Sequence, residues 1–556
     1  MSNRLSLKSI WKGLASSKKK NRSSNKENLD YEIKIPYRND AFTKEQLARN
    51  FNEAQSKETW KEALRCNPKA LMWCRSISFH QSRVVYIDKA QGCYVLFTCV
   101  MWGYDGLASN IVLSIPQFRK DYGKPFEDQY IIAPIWQLIL AGGTLIGLLL
   151  GGISTGVVAN RYGRRLCLFC SYMLTVVGVF LQWFSPGNLP LLFGGKFLTG
   201  IPLGVFITIA PTYCSEIAPL ALRGAVTSAV NWSIVLGQCL AYFVLRQTQY
   251  IPGQSSYLTL FAVQWPFAAF ALGFIYWFPE SPYHLIARGQ LSLARKNCYR
   301  FHNSKFDVEG YLAAIQIDLD NQSQIQTEAN YKECFRGTNR IRTLIAISTF
   351  FIQSVSGVSW IIGYMAYFLQ LGGLSVSESF NATAGLSVLS LVGNMTGWYF
   401  IEAFGRRRTA LYGSLFLTVS LFMIGISSLI PRGIWAQVFF MGTWSFIFQS
   451  TIGSVAWPII SEVSKSSLRG HTQALATITQ GVVGAIGGVL LPFAINPDAG
   501  NLGGKIGFIY GTILGGSCIG VWYWYPETKG RSFEEIERLF EMDVKPRNFE
   551  KTVLES

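Results

Sequence analysis

Gly156-Val-Val-Ala-Asn160-Arg161-Tyr162-Gly163-Arg164-Arg165 lies between two long apolar runs, and Gly397-Trp-Tyr-Phe-Ile-Glu402-Ala403-Phe404-Gly405-Arg406-Arg407-Arg408 lies between two more. Two further markers follow each arginine turn in the same order. Glu216…Leu222-Arg223-Gly224 is echoed by Glu462…Leu468-Arg469-Gly470, and Pro279-Glu280-Ser281 by Pro526-Glu527-Thr528. The offsets are 405 − 163 = 242, 462 − 216 = 246 and 527 − 280 = 247. Three markers in one order at a nearly constant offset predict an internal duplication, with halves of about 200 residues.

Composition places the halves in a bilayer. Of the 556 residues 49% are hydrophobic and 15% charged, against roughly 25% charged in soluble domains. Abundant glycine and aromatics suit packed membrane helices with interfacial rings. The net charge is 50 − 33 = +17. Its arginines lie in short turns between apolar runs, which suits the inner leaflet of a membrane and argues against a nucleic-acid partner. Cys167-Leu-Phe-Cys170 has redox-motif spacing but begins an apolar helix. The first stretch is polar and basic, so no cleavable signal peptide is expected.

Twelve apolar stretches are each long enough to cross about 30 Å of hydrocarbon: 93–114, 132–157, 166–184, 189–213, 224–245, 258–278, 341–370, 381–401, 409–430, 434–460, 472–495 and 504–525. The expected fold is all-α, with twelve transmembrane helices in two pseudo-symmetric six-helix bundles. An even count puts both termini on one side, and the arginine turns make that side the cytosol. The expected organisation is a cytosolic arm 1–91, a six-helix bundle 92–282, cytosolic helices 283–340, a second bundle 341–526 and a cytosolic tail 527–556, with a short helix over 42–65. Gly143, Gly147 and Gly151 on the second span, and Gly484 and Gly488 on the eleventh, have close-packing spacing, which serves static packing or sliding equally.

Asp105, in Met101-Trp102-Gly103-Tyr104-Asp105-Gly106, falls inside the first span. A mid-membrane carboxylate costs about 2.5–3.5 kcal/mol even on the lenient insertion scale, so it needs a cavity and a partner. Lys196 is the other ionisable group well inside the first half. An Asp–Lys pair can take up a proton and part, coupling protonation to helix position, or it can stand as a static tie. Arg164, Arg165, Arg406 and Arg407 near Glu216 and Glu462 can latch the cytosolic side or simply anchor topology. The full gate set adds Arg161, Arg223, Glu280, Glu402, Arg469 and Glu527. With no catalytic triad, metal cluster or phosphate loop in the chain, neither an enzyme nor a metal or other cofactor is expected.

The duplicated turns, the Glu…Arg-Gly pairs, Pro279-Glu280-Ser281-Pro282 and Pro526-Glu527-Thr528-Lys529-Gly530-Arg531 together resemble the sugar porter family of the major facilitator superfamily, over roughly residues 92–540. Gly200-Ile201-Pro202-Leu203-Gly204-Val205-Phe206 and Trp60-Lys61-Glu62-Ala63-Leu64…Asn67-Pro68-Lys69-Ala70 are most similar to fungal α-glucoside (maltose-type) permeases. The resemblance implies a sugar site between the halves formed by Gln238, Gln353, Ser359, Trp457 and Gln480, with Asp105 as the proton-coupling acid and Lys196 where a basic partner is often arginine. Amides suit sugar hydroxyls and an aromatic face suits the C–H surface. The chain departs from the pattern at Trp102, Trp232, Ser354, Ser359 and Pro282-Tyr283-His284. Residues 75–92 separate the arm from the first span by more than in relatives, as an insertion or a misplaced splice junction would.

The expectation is therefore a monomeric plasma-membrane proton symporter for a hexose or α-glucoside, working by alternating access. Its rivals are an uncoupled sugar or polyol facilitator, a transporter-like sensor and a vacuolar address. A sensor typically carries a long signalling tail, and only 556 − 533 = 23 residues follow Phe533.

Overall fold

The computed structural model describes residues 41–57, 91–126, 129–217, 220–276, 278–301, 306–328, 331–431, 433–465, 468–529, 531 and 533–552. The chain separates into Met1–Gln46 and Leu47–Ser556. The first unit's described part is the opening of the helix Ala41–Lys57, which covers the first part of the helix expected over 42–65. The basic start of the arm and the proposed insertion, up to residue 90, lie outside the described residues.

In hydrocarbon every backbone polar group must bond within the chain, and helices achieve this segment by segment. Among the described residues, ten helices are long and apolar enough to cross a membrane. Six come first: Tyr94–Ser114, Pro134–Gly156, Arg164–Trp183, Leu189–Cys214, Ala229–Thr248 and Ser255–Phe274. Val376–Phe404, Arg406–Ser427, Gly470–Ile495 and Gly503–Trp524 supply the eighth, ninth, eleventh and twelfth spans. The seventh and tenth are helices in pieces. The seventh runs Gly337–Val355, Val358–Gly363 and Met365–Leu371; the tenth runs Ile434–Ser450 and Ile452–Val463. Gly357, at φ 91°, turns the first break. The freed carbonyls are satisfied: Trp444 Nε1 donates to Ser356 O at 3.1 Å, and Ser454 Oγ to Gln449 O at 2.7 Å. Irregular backbone at this depth is tolerated where protein surrounds it or it lines a cavity.

The two bundles repeat one packing scheme. The first span packs on the fifth, the second on the fourth and the third on the sixth; seventh on eleventh, eighth on tenth and ninth on twelfth follow the same rule. The halves meet along the fifth and eighth spans and along the second and eleventh. Three short helices, Pro282–Ala287, Leu291–Phe301 and Val308–Glu328, link them around Leu285, Ala294, Cys298, Val308 and Leu312. Phe51 of the arm helix packs edge-on against Phe306 at 5.6 Å. Between the first and second spans lie the helix Pro116–Tyr122 and a hairpin pairing Lys124 with Ile131.

Glycine decides how near the first-half helices come. A Cβ on Gly151 would lie 2.0 Å from Ile201 O, and one on Gly204 2.1 Å from Leu148 O. Gly103 and Gly237 make the same contact between the first and fifth spans, each 2.0 Å from the facing carbonyl. On the eleventh span the expected seam is not there: a Cβ on Gly484 or Gly488 meets nothing within 4 Å. Their spacing matches a packing row, but the face they occupy is turned away from any neighbouring helix. Gly151→Leu should cost at least about 3 kcal/mol through overpacking, whereas Gly484→Leu should be tolerated. The recovery of monodisperse protein on size exclusion, compared for the two variants, checks this.

Candidate functional site

Asp105 sits in the helix Gln91–Ile111, with its carboxylate closed off from solvent. Lys196, equally buried on Leu189–Ile217, brings its Nζ to 3.7 Å from Asp105 Oδ1, an ion pair longer than a good hydrogen bond. Gln264 Nε2 donates to the same oxygen at 2.9 Å. The ammonium lies 4.6 Å from the centroid of the Phe261 ring and has no hydrogen-bond partner among the described residues. First, fourth and sixth spans thus meet at one charged centre. Breaking such a pair leaves an uncompensated buried charge, worth about 3–5 kcal/mol.

The amides assemble in part. Gln480 Nε2 donates to Gln353 Oε1 at 2.8 Å, joining the eleventh and seventh spans. Ser359 faces Gly487 of the eleventh span, where an added Cβ would lie 4.0 Å from its hydroxyl. Trp457 packs edge-on against Phe350, ring centroids 5.0 Å apart, beside Ala346 and Ala476. Gln238 lines a small cavity with Tyr242, Met365, Ser387, Ser390 and Ser445, drawn from the fifth, seventh, eighth and tenth spans. No hydrogen bond joins Gln238 to the Gln353–Gln480 pair among the described residues. That cavity and the Gln353–Gln480 contact both draw on the seventh span, which is broken between them.

The arginine turns form the same corner twice. Gly163 at φ 95° and Gly405 at φ 88° end one helix and start the next. An added Cβ at either would lie 2.5 Å from an oxygen of Glu280 or Glu527, so the left-handed glycine also makes room for the carboxylate. Glu280 accepts from the backbone N–H of Arg164 at 2.8 Å and Glu527 from that of Arg406 at 2.9 Å, capping the helix where its dipole favours an anion. Arg164 Nη2 lies 2.6 Å from Glu216 and Arg406 Nη2 2.9 Å from Glu462. The Ser281 hydroxyl donates to Glu216, and Thr528 to Glu462 at 2.5 Å. Burial pushes the Glu216 carboxyl up, while Arg164 and Ser281 draw it back. Each of these ties joins helices of one half. Arg165 stacks over the Tyr276 ring and Arg407 donates to Trp522 O at 2.8 Å. Arg161 and Glu402 stand at the exposed margin, Glu402 at 3.9 Å from Arg406. The side chains of Arg223 and Arg469 lie outside the described residues.

The far end is tied across the halves. Arg119 Nη2 donates to Gln370 Oε1 at 2.7 Å, with its guanidinium over the Tyr367 ring. Fully buried Asn496 accepts from Tyr367 Oη and Gln137 Nε2, each at 3.1 Å, and donates to Ile132 O at 2.9 Å. The Tyr242 hydroxyl donates to Ile362 O. Nearer the arginine turns, the cross-half hydrogen bond among the described residues is a long one, Asn231 Nδ2 to Gly453 O at 3.5 Å.

Sequence reasoning missed Gln264, Ser281, Thr528 and the far-end cluster. An amide inside the sixth apolar run was a usable signal for Gln264, and the matching hydroxyls after the Pro-Glu markers were one for Ser281 and Thr528. Arg119, Gln137, Gln370 and Asn496 had none, because their partners are up to 364 positions away.

Known proteins share the fold and the sequence pattern. The chain is 30% identical over 521 residues to the general alpha-glucoside permease of Saccharomyces cerevisiae, covering 91% of this chain and 81% of that one. It is 30% identical over 527 residues to the MFS transporter fmqE of Aspergillus fumigatus, covering 92% and 95%. Among solved structures, the partially occluded inward open form of the xylose transporter XylE from E. coli superposes with a TM-score of 0.66 at 20% identity, over 80% of this chain and 99% of that one. The inward open form gives 0.66 at 22% identity, over 82% and 100%. A family model described as sugar (and other) transporter matches residues 93–540. The chain belongs to the sugar (and other) transporter family, and its fold is that of the major facilitator superfamily.

Proposed function

We propose that the chain is a proton-coupled importer of a hexose or α-glucoside in the plasma membrane, with both termini cytosolic and a single chain as the transport unit. The observation that carries the reading is the buried Asp105–Lys196–Gln264 centre. A carboxylate at this depth holds its charge only while Lys196 and Gln264 stay close. Protonation removes the attraction and leaves a buried ammonium without its counterion, so the first and fourth spans are then free to shift. The name of the alpha-glucoside permease supports the sugar class, and the amide pair Gln353–Gln480 with Trp457 supplies fitting chemistry.

The bonding pattern supports alternating access. The far end is tied between halves, and the arginine end is tied within them, which is how an inward-facing transporter is held. In this reading Glu280 and Glu527 keep each corner rigid, and the halves rock as bodies about the fifth–eighth and second–eleventh contacts. Sugar and proton enter when the Asn496 cluster opens and leave toward the arginine face. The gate role of Arg164, Glu216, Arg406 and Glu462 becomes that of stiffening each half, so that the cross-half bonds at the other end decide which side is open.

Four measurements test this. In transport-deficient yeast, Asp105→Asn should abolish accumulation of labelled glucose or maltose and the accompanying alkalinisation of the medium, while exchange persists; unchanged accumulation removes the coupling role. A protonophore that leaves wild-type uptake unaltered would instead favour the uncoupled facilitator. Gln353→Ala and Gln480→Ala should each raise KM by about tenfold, with the double variant less than additive because the two amides bond each other. Asn496→Ala removes two cross-half bonds, to Gln137 and to Ile132 O, and should raise the outward-open population by about tenfold or more, read as faster labelling of Ile132→Cys by a thiol reagent added outside.

A further inference from the structure

The second arginine corner carries something the first does not. The tail returns to it as the short helix Pro546–Lys551 and closes a cavity of about 410 Å³, lined by Arg407, Trp522, Lys545, Arg547, Asn548 and Glu550. Cavities of about 300–1,000 Å³ hold small ligands. Arg547 lies over the Trp522 ring, its guanidinium carbon 4.1 Å from the centroid. Neither Arg547 nor Lys545 takes part in an ion pair among the described residues. Arg407 Nε is buried in the same corner with no hydrogen-bond partner. The one lining carboxylate, Glu550, is already held by Arg408 at 2.6 Å. The matching corner of the first half has Arg165 over Tyr276, and the chain there runs on into Pro282–Ala287.

We infer that this cavity is a binding site for a phosphate group carried on an anionic membrane lipid. Three cations line the cavity and its one lining carboxylate is engaged by Arg408, and guanidinium forks match phosphate oxygens in pairs. Position selects the lipid source. Trp522, Tyr523 and Trp524 are exposed at the end of the twelfth span, the composition of a headgroup boundary. The cavity therefore opens where an acidic headgroup lies, with acyl chains running beside those rings. Assigning the lipid to the cytosolic leaflet rests on the proposed cytosolic placement of the arginine face. The tail is pinned independently of the two lysine and arginine side chains: Phe549 is fully buried against Phe540, and Arg531 donates to the carbonyls of Phe549 and Thr552.

The test is native mass spectrometry of the purified full chain in detergent, titrated with phosphatidic acid or phosphatidylcholine. Micelles expose both faces, so the result does not depend on the proposed topology or on transport. Phosphatidic acid should bind in preference to phosphatidylcholine. Lys545→Ala with Arg547→Gln should weaken it by about tenfold or more, since two of the three lining cations are removed. Glu550→Gln should tighten it several-fold, a gain that misfolding cannot produce. Equal binding of the two lipids, or unchanged affinity in both variants, overturns the site. Inorganic phosphate competing as strongly as the lipid overturns the lipid source.

Discussion

Inside the first bundle a carboxylate, an ammonium and an amide meet, all three buried. Asp105 is held by Lys196 at 3.7 Å and by Gln264 at 2.9 Å. Neither contact saturates its partners: the Lys196 ammonium rests over Phe261, and Gln264 Oε1 is buried without a donor among the described residues. A fully satisfied network would lock three helices permanently. A network that is paired in charge but short of hydrogen bonds holds them only as long as the charges persist. The remaining features of the bundle, from glycine seams to capped corners, keep these three helices close enough for the centre to exist.

Rigidity is distributed unevenly, and the distribution follows from where the ties run. At the arginine end the bonds stay inside each half, since Glu280 and Glu527 cap the helix that follows their own glycine turn, and Glu216 and Glu462 hold its arginine. At the other end the bonds cross from one half to the other, Asn496 to Gln137 and to Ile132 O, and Arg119 to Gln370. Two stiff bodies joined mainly at one end can rock without breaking their internal packing. On the eleventh span an added Cβ at Gly481, Gly484 or Gly488 meets nothing within 4 Å, so those positions take no part in holding the halves together.

The seventh and tenth spans are broken helices. A continuous helix keeps its backbone polar groups paired within itself, whereas a helix interrupted at Gly357 or Thr451 frees some of them at the break. The protein satisfies most of what it exposes, through Trp444, Ser454 and Thr451. Gln353 lies just before one break and Ser359 just after it, so the local irregularity positions both.

The sequence alone carried the duplication, the twelve spans and the buried acid, because each depends on local composition or on a repeat distance that needs no neighbours. Asp105 and Lys196 were visible as charges in apolar runs, and Glu216, Glu280, Glu462 and Glu527 as markers beside arginine turns. Which residues complete those centres was decided only in three dimensions. Gln264 is 159 positions from Asp105, and Asn496 is 359 from Gln137, separations at which a single sequence holds no pairing signal. The glycine rows make the same point: at equal spacing, Gly151 meets a helix backbone and Gly484 meets nothing, since periodicity marks a face of a helix but only tertiary packing chooses what lies opposite it.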